Sequence, residues 1–337
     1  MRVTIEDIAN SAGVSKTTVS RVLNQRYEFM SEETKERVLR VIKELDYSPN
    51  LVAQSLKKGK TRSIGVIVPN LLNPHYSGFV EGLGKLCKQE NYSLILCNVG
   101  EDPAEERRYI QTLLARQVDG LIVCSVGENT VVYQNLVKKG FPLVLADRSI
   151  EGVSTDLVTV DDFKGAYIAT THLISLGHRR ISLIIPPIKN LSTRFNRLAG
   201  YKKALTEQGV YESSNLIKMV TPGSGEVETV IDELLKENTP PTAIFATNAL
   251  LGLDVIKSLK LRKKKIPQEI ALVVYDEAPW AELLAPPLTT VFQPALKLGI
   301  TAGKQLIERI NTKKVQEPVN ILLEPKLLIR ESTLGGR

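Results

Sequence analysis

A run of hydrogen-bond donors stands near the N-terminus of this 337-residue chain, in the segment SKTTVSRVLN that begins at Ser15. Lysine and arginine donate to guanine O6 and N7 in the major groove, and threonine contacts a base edge or a thymine methyl. Serine and threonine hydroxyls bond to phosphate oxygens. The pattern predicts binding to duplex DNA, with two packed helices that bind no nucleic acid as the alternative. The predicted contact residues are Thr4, Ser15, Lys16, Thr17, Thr18, Ser20 and Arg21.

A second set of polar side chains follows the apolar runs in the rest of the chain. In an open parallel sheet a ligand binds beyond the carboxyl ends of the strands, so these side chains are predicted to line a small-molecule cleft. For any one of them, a helix cap or a solvated charge is an equally good explanation. The predicted cleft residues are His75, Asp147, Arg148, Arg194, Arg197, Asn248 and Asp276, with Asn73 and Asn98 as further candidates.

Three of the cleft residues, Arg148, Arg194 and Arg197, carry a guanidinium group. A guanidinium pairs a carboxylate or a phosphate through two parallel hydrogen bonds, so three of them near one cleft favour an anionic ligand. A sugar acid or a phosphosugar is therefore the expected effector. His172 and His178 are expected in structural positions, whereas Trp280 fits either the mouth of the cleft or the core.

The donors near the N-terminus need a rigid support, and the sequence predicts a helix-turn-helix there. Thr4 caps a first helix, Gly13 ends it in a left-handed conformation, and Ser15 caps the second. Ala9, four residues before Gly13, lets the two helices approach closely. A third helix begins after Ser31 and completes the small core.

The segment LVAQSLKKGKTRS follows Pro49 and reads as a short amphipathic helix with a basic connector behind it. Isolated helices below about 12 residues are marginal in water, so this one is expected to order only when a partner holds it.

From Ser63 onward, short apolar runs such as SIGVIVP, YSLILCNV and DGLIVC alternate with helical patterns. Apolar runs without polar alternation indicate parallel strands that are buried on both faces. The pattern restarts at HRRISLII, so two parallel α/β lobes are expected.

Composition narrows the class of protein. The net charge is +7, and residues 1–62 hold 12 Lys+Arg against 8 Asp+Glu, so the basic end is expected to meet a polyanion.

The cysteines lack CxxC spacing and are expected as buried free thiols; they are Cys87, Cys97 and Cys124. The N-terminus lacks the features of a signal peptide and no long apolar run is present, which predicts a cytoplasmic protein with no membrane partner. No phosphate-loop, dinucleotide, GxSxG or HExxH motif is present, so neither an enzyme nor a cofactor is expected.

The segments VTIEDIANSAGVSKTTVSRVLN and YSPNLVAQSLK, at this spacing, resemble the LacI family of bacterial repressors. In that family the second segment becomes a hinge helix on DNA, where a leucine from each copy of a dimer wedges between base pairs in the minor groove. The resemblance assigns base reading to Lys16, Thr17 and Arg21, and the hinge to Asn50, Val52, Ala53 and Leu56. The loop at 25–30 is one residue longer than in the founding repressor, so its phosphate contacts do not transfer.

The resemblance implies an all-α helix-turn-helix headpiece plus hinge helix, joined to a two-lobed α/β periplasmic-binding-protein-like core with parallel sheets. It places the headpiece at 1–47, the hinge helix and linker at 48–60, and the effector-binding and dimerisation core at 61–337. The first lobe is expected at about 61–162 and 293–320, and the second at about 163–291 and 321–337. The resemblance also implies that Gln293 is one of the cleft residues.

The function that this resemblance implies is transcriptional regulation, with repression of carbohydrate catabolism genes as the leading expectation. Such a protein binds a palindromic operator as a homodimer and responds to a small sugar-like effector in the cleft. A corepressor-dependent or activating regulator of the same family is the alternative, and an enzyme on the same scaffold is a more distant one. The stretch YEFMSEET is also similar to the branch that regulates keto-deoxygluconate and hexuronate use.

Overall fold

The computed structural model describes residues 3–47, 60–312 and 317–334. The chain divides into two compact units, Met1–Thr61 and Arg62–Arg337, which are taken in turn. The predicted hinge residues Asn50, Val52, Ala53 and Leu56 lie outside the described residues.

The N-terminal unit contains three helices, α1 (Ile5–Ala12), α2 (Lys16–Leu23) and α3 (Glu32–Glu44). Thr4 and Asp7 form a reciprocal capping box at the start of α1, and Ser15 and Ser31 cap α2 and α3 through their hydroxyls. Gly13 has a φ of 62°, the left-handed conformation that lets the chain turn tightly between α1 and α2. The helices enclose one small core, made of Ile8, Ala9, Ala12, Val19, Val22, Val38 and Val41.

The second unit is built on two six-stranded sheets. The strands of the first sheet are β1 (Ser63–Val68), β2 (Ser93–Asn98), β3 (Gly120–Val123), β4 (Leu143–Ala146), β5 (Asp156–Val160) and β11 (Asn320–Leu323). They follow the order β11-β5-β4-β3-β1-β2, and every neighbouring pair is parallel.

The strands of the second sheet are β6 (Ile181–Ile185), β7 (Ile217–Met219), β8 (Ala243–Ala246), β9 (Ala271–Tyr275), β10 (Thr289–Phe292) and β12 (Lys326–Leu328). They follow the order β12-β10-β9-β8-β6-β7, and β12 runs antiparallel to β10. The other neighbouring pairs of this sheet are parallel, as expected. The antiparallel strand lies at the edge of the sheet, where the chain returns from the neighbouring lobe.

Helices cover both sheets and complete the α/β architecture. The helices of this unit are α4 (Pro74–Gln89), α5 (Pro103–Ala115), α6 (Thr130–Lys138), α7 (Asp162–Ser175), α8 (Ser192–Glu207), α9 (Glu226–Lys236), α10 (Ala249–Leu261) and α11 (Ala295–Asn311). Each sheet is buried on both faces, as the unbroken burial of β3, β4, β8 and β9 shows. Cys87, Cys97 and Cys124 are buried free thiols, which confirms that expectation.

The chain passes between the two sheets three times. It leaves the first sheet after β5, returns after β10 to form α11 against α4, and leaves again after β11. The last passage follows Leu323, because the strand Asn320–Leu323 still pairs with β5 of the first sheet. Among the described residues, no helix has both the length and the apolar character needed to cross a lipid bilayer.

Close packing of α4 against α11 depends on glycines at the contact. A Cβ atom added at Gly299 would lie 2.0 Å from the backbone oxygen of Phe79, and one added at Gly82 would lie 2.1 Å from the backbone oxygen of Leu296. These are backbone atoms on the facing helix, so neither can move without displacing a whole turn.

The substitution Gly299→Ala is expected to destabilise the core by about 1–3 kcal/mol, because the added methyl forces α4 and α11 apart. Gly84→Ala, in the same helix pair, is the matched control: a Cβ there meets nothing within 4 Å, and replacing a helical glycine is expected to stabilise by about 0.5–1 kcal/mol. Urea unfolding of the full chain measures both. Equal effects of the two substitutions would contradict this account of the helix contact.

Candidate functional site

The helix α2 presents part of the donor face that the sequence predicted. Lys16, Thr17 and Arg21 are exposed, whereas Thr18 and Ser20 are half-buried. The three exposed residues lie at positions 1, 2 and 6 of α2, where their side chains can reach a DNA groove. The residues that reach outward are the same three that the resemblance assigns to base reading, and their contact with DNA stays a prediction.

The hydroxyls predicted to hold phosphates already serve as helix caps. The Thr4 hydroxyl donates to Asp7 Oδ2 over 2.7 Å and accepts from the Asp7 amide over 3.3 Å. The Ser15 oxygen accepts from the amide of Thr18 over 3.1 Å and lies 3.0 Å from the Thr18 hydroxyl oxygen. These hydrogen bonds stabilise the first turns of α1 and α2. The hydroxyls of Thr4, Ser15 and Thr18 therefore already have a structural role within the protein.

Two contacts on this surface were not foreseen. Lys16 forms a 2.8 Å ion pair with Glu6 of α1, which puts a carboxylate beside the donor face of α2. The guanidinium of Arg21 stands over the ring of Phe29, 5.5 Å from its centroid, although Phe29 is 76% exposed. An exposed ion pair is worth little, so Lys16 can exchange Glu6 for a phosphate or a base edge at small cost.

In the second unit, a cavity of about 370 Å³ opens between the two sheets at the carboxyl ends of their strands. Polar side chains from both lobes line it, including most of those that the strand-end rule selected: Asn73, His75, Asp147, Arg148, Arg194, Arg197, Asn248 and Asp276. Gln293 lies behind this wall, and Asn98 instead holds the amide of Leu71 through its side-chain oxygen. The size is that of a small-ligand pocket.

Asp147 is the centre of the first wall. It follows β4 with a φ of 65° and accepts from the Tyr76 hydroxyl over 2.8 Å, while His75 Nε2 lies 2.9 Å from its other oxygen. Burial disfavours the charged form of His75, but the Asp147 carboxylate overrides it and raises the pKa of His75. Burial likewise works against ionisation of Asp147, yet His75 and Arg148 hold its pKa well below the usual range.

Asp276 is the centre of the opposite wall and joins the two lobes. It follows β9 with a φ of 75°, and its carboxylate accepts from Asn73 over 3.1 Å and from Gln293 over 2.6 Å. Asn73 caps α4 in the first lobe, so its bond to Asp276 spans the cleft. Gln293, which only the resemblance suggested, therefore acts on the cleft by holding Asp276 in place.

Arg197 is held by the second lobe alone. Its Nε donates to Asp162 over 2.7 Å, Nη1 donates to the carbonyl of Thr247 over 2.7 Å, and the guanidinium lies 3.8 Å from the centre of the Tyr275 ring. These contacts orient the planar group, which lines the cavity.

Arg148 and Arg194 share a carboxylate that the sequence analysis missed. Glu101 accepts from Arg194 Nη2 over 2.5 and 2.6 Å and from Arg148 Nη2 over 3.3 Å. Each arginine of the cleft thus already pairs with a carboxylate of the protein. The prediction of a sugar acid or phosphosugar effector treated these guanidinium groups as unpaired. Because each has a carboxylate partner in the protein, their charge no longer favours an anionic ligand.

The remaining candidates divide between cavity and scaffold. Asn248 caps α10 through its side-chain oxygen and also lines the cavity, and its contact with a ligand stays a prediction. His172 bonds to Thr333 and His178 to Thr242, in the structural positions expected of them. Trp280 packs against the apolar core of the second lobe rather than at the cavity.

Comparison with known proteins decides the family. Residues 4–50 match the profile of bacterial regulatory proteins of the lacI family, and residues 61–331 match that of periplasmic binding proteins and the sugar-binding domain of the LacI family. The chain belongs to the LacI family. This result confirms both the resemblance read from the sequence and the fold class inferred from it.

Relatives of this LacI-family chain match it from end to end. A probable HTH-type transcriptional regulator EndR of Paenibacillus polymyxa is 37% identical over 99% of both chains. The HTH-type transcriptional repressor PurR of Haemophilus influenzae (strain PittEE) is 36% identical over 98% of both. These relatives are named as transcriptional regulators and not as enzymes, and the LacI-family chain described here is likewise a regulatory protein.

Two solved structures extend the comparison. The lac repressor dimer bound to operator and the anti-inducer ONPF superimposes with a TM-score of 0.85 at 27% identity, covering 99% of this chain and 100% of that one. A complex of the transcriptional regulator CelR with cellobiose gives a TM-score of 0.72 at 32% identity, covering 98% and 100%. Both are therefore similar in fold to this chain.

The His75 contact predicts a pH dependence of stability. Because the folded protein raises the pKa of His75 above 6.5, the stabilisation by the protonated ring is present below the unfolded pKa and disappears as the pH rises through the folded pKa. His75→Gln should therefore cost more unfolding free energy at about pH 6 than at about pH 9, measured by urea unfolding of the full chain.

His172 supplies the control with the opposite sign. Burial lowers its pKa, so its protonation weakens the fold at low pH and His172→Gln should be relatively less harmful at about pH 6 than at about pH 9. A penalty for His75→Gln that grows as the pH rises would refute the proposed pairing with Asp147.

Proposed function

We propose that this protein is a sequence-specific DNA-binding transcription regulator, a repressor of carbohydrate catabolism genes that a small hydroxyl-rich effector controls from the interlobe cleft. The observation that carries the proposal is the outward-facing donor set of α2, Lys16, Thr17 and Arg21, on a capped helix-turn-helix. We assign the headpiece to 1–47, the connector to 48–60 and the effector core to 61–337. The site of action is the cytoplasm, where the DNA of a bacterium lies.

The target is a palindromic operator bound by a homodimer. A two-fold symmetric protein reads an inverted repeat, whose half-sites are about one helical turn apart for a helix-turn-helix dimer. Arg21 and Lys16 donate to guanine edges, and Thr17 contacts a base. The residues that face the DNA phosphates are Thr4, Ser15, Thr18 and Ser20. The lac repressor, with a TM-score of 0.85 to this chain, is seen as a dimer on its operator.

The cleft chemistry favours a ligand that carries hydroxyl groups. Hydroxyls both donate and accept, and the cavity offers the carboxylates of Asp147 and Asp276 beside donors on Arg197 and Asn248. Gln293 holds Asp276, whereas His75 and Arg148 hold Asp147. Arg194 lines the same cavity. The complex of CelR with cellobiose supports a carbohydrate as the effector.

The effector and the DNA act on each other through the lobes. Two interactions span the cleft: the hydrogen bond from Asn73 to Asp276 and the ion pair of Glu101 with Arg194. A ligand that binds between these groups changes the relative orientation of the lobes. A coupling of about 1–3 kcal/mol between the two sites is usual for such regulators, and by linkage it is reciprocal.

DNA selection with the full chain tests the proposal. Random duplexes enriched on the purified protein should converge on a two-fold symmetric sequence. On that duplex, Arg21→Ala is expected to weaken binding by about 1–3 kcal/mol through loss of a base contact.

Arg40→Ala is the matched control, because Arg40 is exposed on α3 and the substitution removes the same charge. It should weaken the selected and a scrambled duplex alike and only slightly. If no sequence is enriched, or Arg21→Ala behaves as Arg40→Ala does, the DNA-reading role of α2 is wrong.

A further inference from the structure

Glu101 forms ion pairs with two arginines from different parts of the cavity wall. It lies in the loop between β2 and α5, with a φ of 59°, and belongs to the first lobe. Arg194 belongs to α8 of the second lobe, and Arg148 follows β4. One carboxylate therefore neutralises guanidinium groups contributed by both lobes.

The two arginines are deeply placed, whereas the glutamate is not. The side chains of Arg148 and Arg194 are 6% and 8% exposed, and that of Glu101 is 40% exposed. Arg148 also donates to the carbonyl of Ser125 over 3.0 Å, and Arg194 to the carbonyl of Pro187 over 2.7 Å. The protein backbone thus fixes both guanidinium groups, and Glu101 closes over them from the solvent side.

We propose that Glu101 determines the charge class of the effector: it fills the anion site that Arg148 and Arg194 would otherwise present, so that the cleft accepts a neutral polyhydroxylated ligand and rejects a carboxylate or a phosphate. The inference rests on the proposed function, because it takes the interlobe cavity as the effector site.

A free anion competes with Glu101 at a disadvantage. The Glu101 carboxylate is tethered to the same protein, so its effective concentration at the arginines is in the millimolar range or above, and it already makes a two-oxygen contact with Arg194. An entering anion has to displace it and leave a carboxylate in the same confined space. A neutral sugar does not have to displace Glu101, because it finds hydrogen-bond partners at Asp147, Arg197 and Asp276.

The state of ionisation supports this geometry. Partial burial works against the charged form of Glu101, but Arg148 and Arg194 outweigh burial and hold its pKa below the ordinary value. The carboxylate therefore stays charged at neutral pH and keeps its place between the arginines.

Inorganic phosphate is the probe, and isothermal titration calorimetry of the full chain at fixed ionic strength, without DNA, is the measurement. Glu101→Gln should bind phosphate at least about tenfold more tightly than the unmodified chain, because two buried guanidinium groups lose the carboxylate that they share. The same gain should shrink when Arg194→Gln is added to Glu101→Gln, with thermal unfolding as the check that this double variant folds.

Glu105→Gln is the matched control. Glu105 lies four residues on, in α5, and pairs with the exposed Arg108 rather than with the cleft. It should bind phosphate as the unmodified chain does. The comparison of Glu101→Gln with Glu105→Gln decides the proposal even where the double variant does not fold.

Three results would overturn the proposal: phosphate binding by the unmodified chain as tight as that of Glu101→Gln, an equal gain in Glu105→Gln, or a gain that survives the loss of the Arg194 guanidinium in a folded double variant. None of them bears on DNA selection, which can fail or succeed independently. A failed selection, in turn, leaves the phosphate comparison intact, so the two proposals are separable.

Discussion

Two buried carboxylates set the geometry on which the cleft depends. Asp147 and Asp276 follow the central strands β4 and β9 of the two sheets in left-handed backbone conformations, and both are almost fully buried. A buried charge is unfavourable unless it is paired and hydrogen-bonded, so each carboxylate requires partners from neighbouring segments. His75 and Tyr76 meet Asp147, and Asn73 with Gln293 meets Asp276. The start of α4 is thereby fixed between both.

This arrangement explains why one short segment matters to both lobes. The turn that opens α4 supplies Asn73 to the carboxylate of the second lobe and His75 to that of the first, so a change in lobe orientation must alter at least one of these bonds. The salt bridge of Glu101 with Arg194 adds a second link across the cavity. A ligand that inserts between the walls exchanges such interlobe bonds for its own, and this exchange is the physical basis for the regulation proposed here.

Local signals in the sequence were sufficient for the parts of the structure that depend on local chemistry. Caps at Thr4, Ser15 and Ser31, the glycine turn at Gly13 and the strand-end positions of Asp147 and Asp276 all follow from short patterns. Contacts between residues that are distant in sequence could not be predicted in this way. The strand β5 begins with a buried Asp156 whose partner Arg309 is 153 residues away, and no local pattern marks that pair. Glu101 follows β2 as the strand-end rule requires, but the selection stopped at Asn98; extending the rule to the whole loop would have included it.

Hydrogen exchange measured by mass spectrometry, with and without the selected duplex, tests most directly whether the cleft and the DNA-binding surface are coupled. Linkage requires that DNA change the cleft if the cleft changes DNA affinity. We expect altered exchange in α1 to α3 and also in the cleft segments around Asn73, Glu101, Asp147 and Arg194, with a scrambled duplex at the same salt as the control. Protection confined to residues 3–47 and the connector would contradict the account.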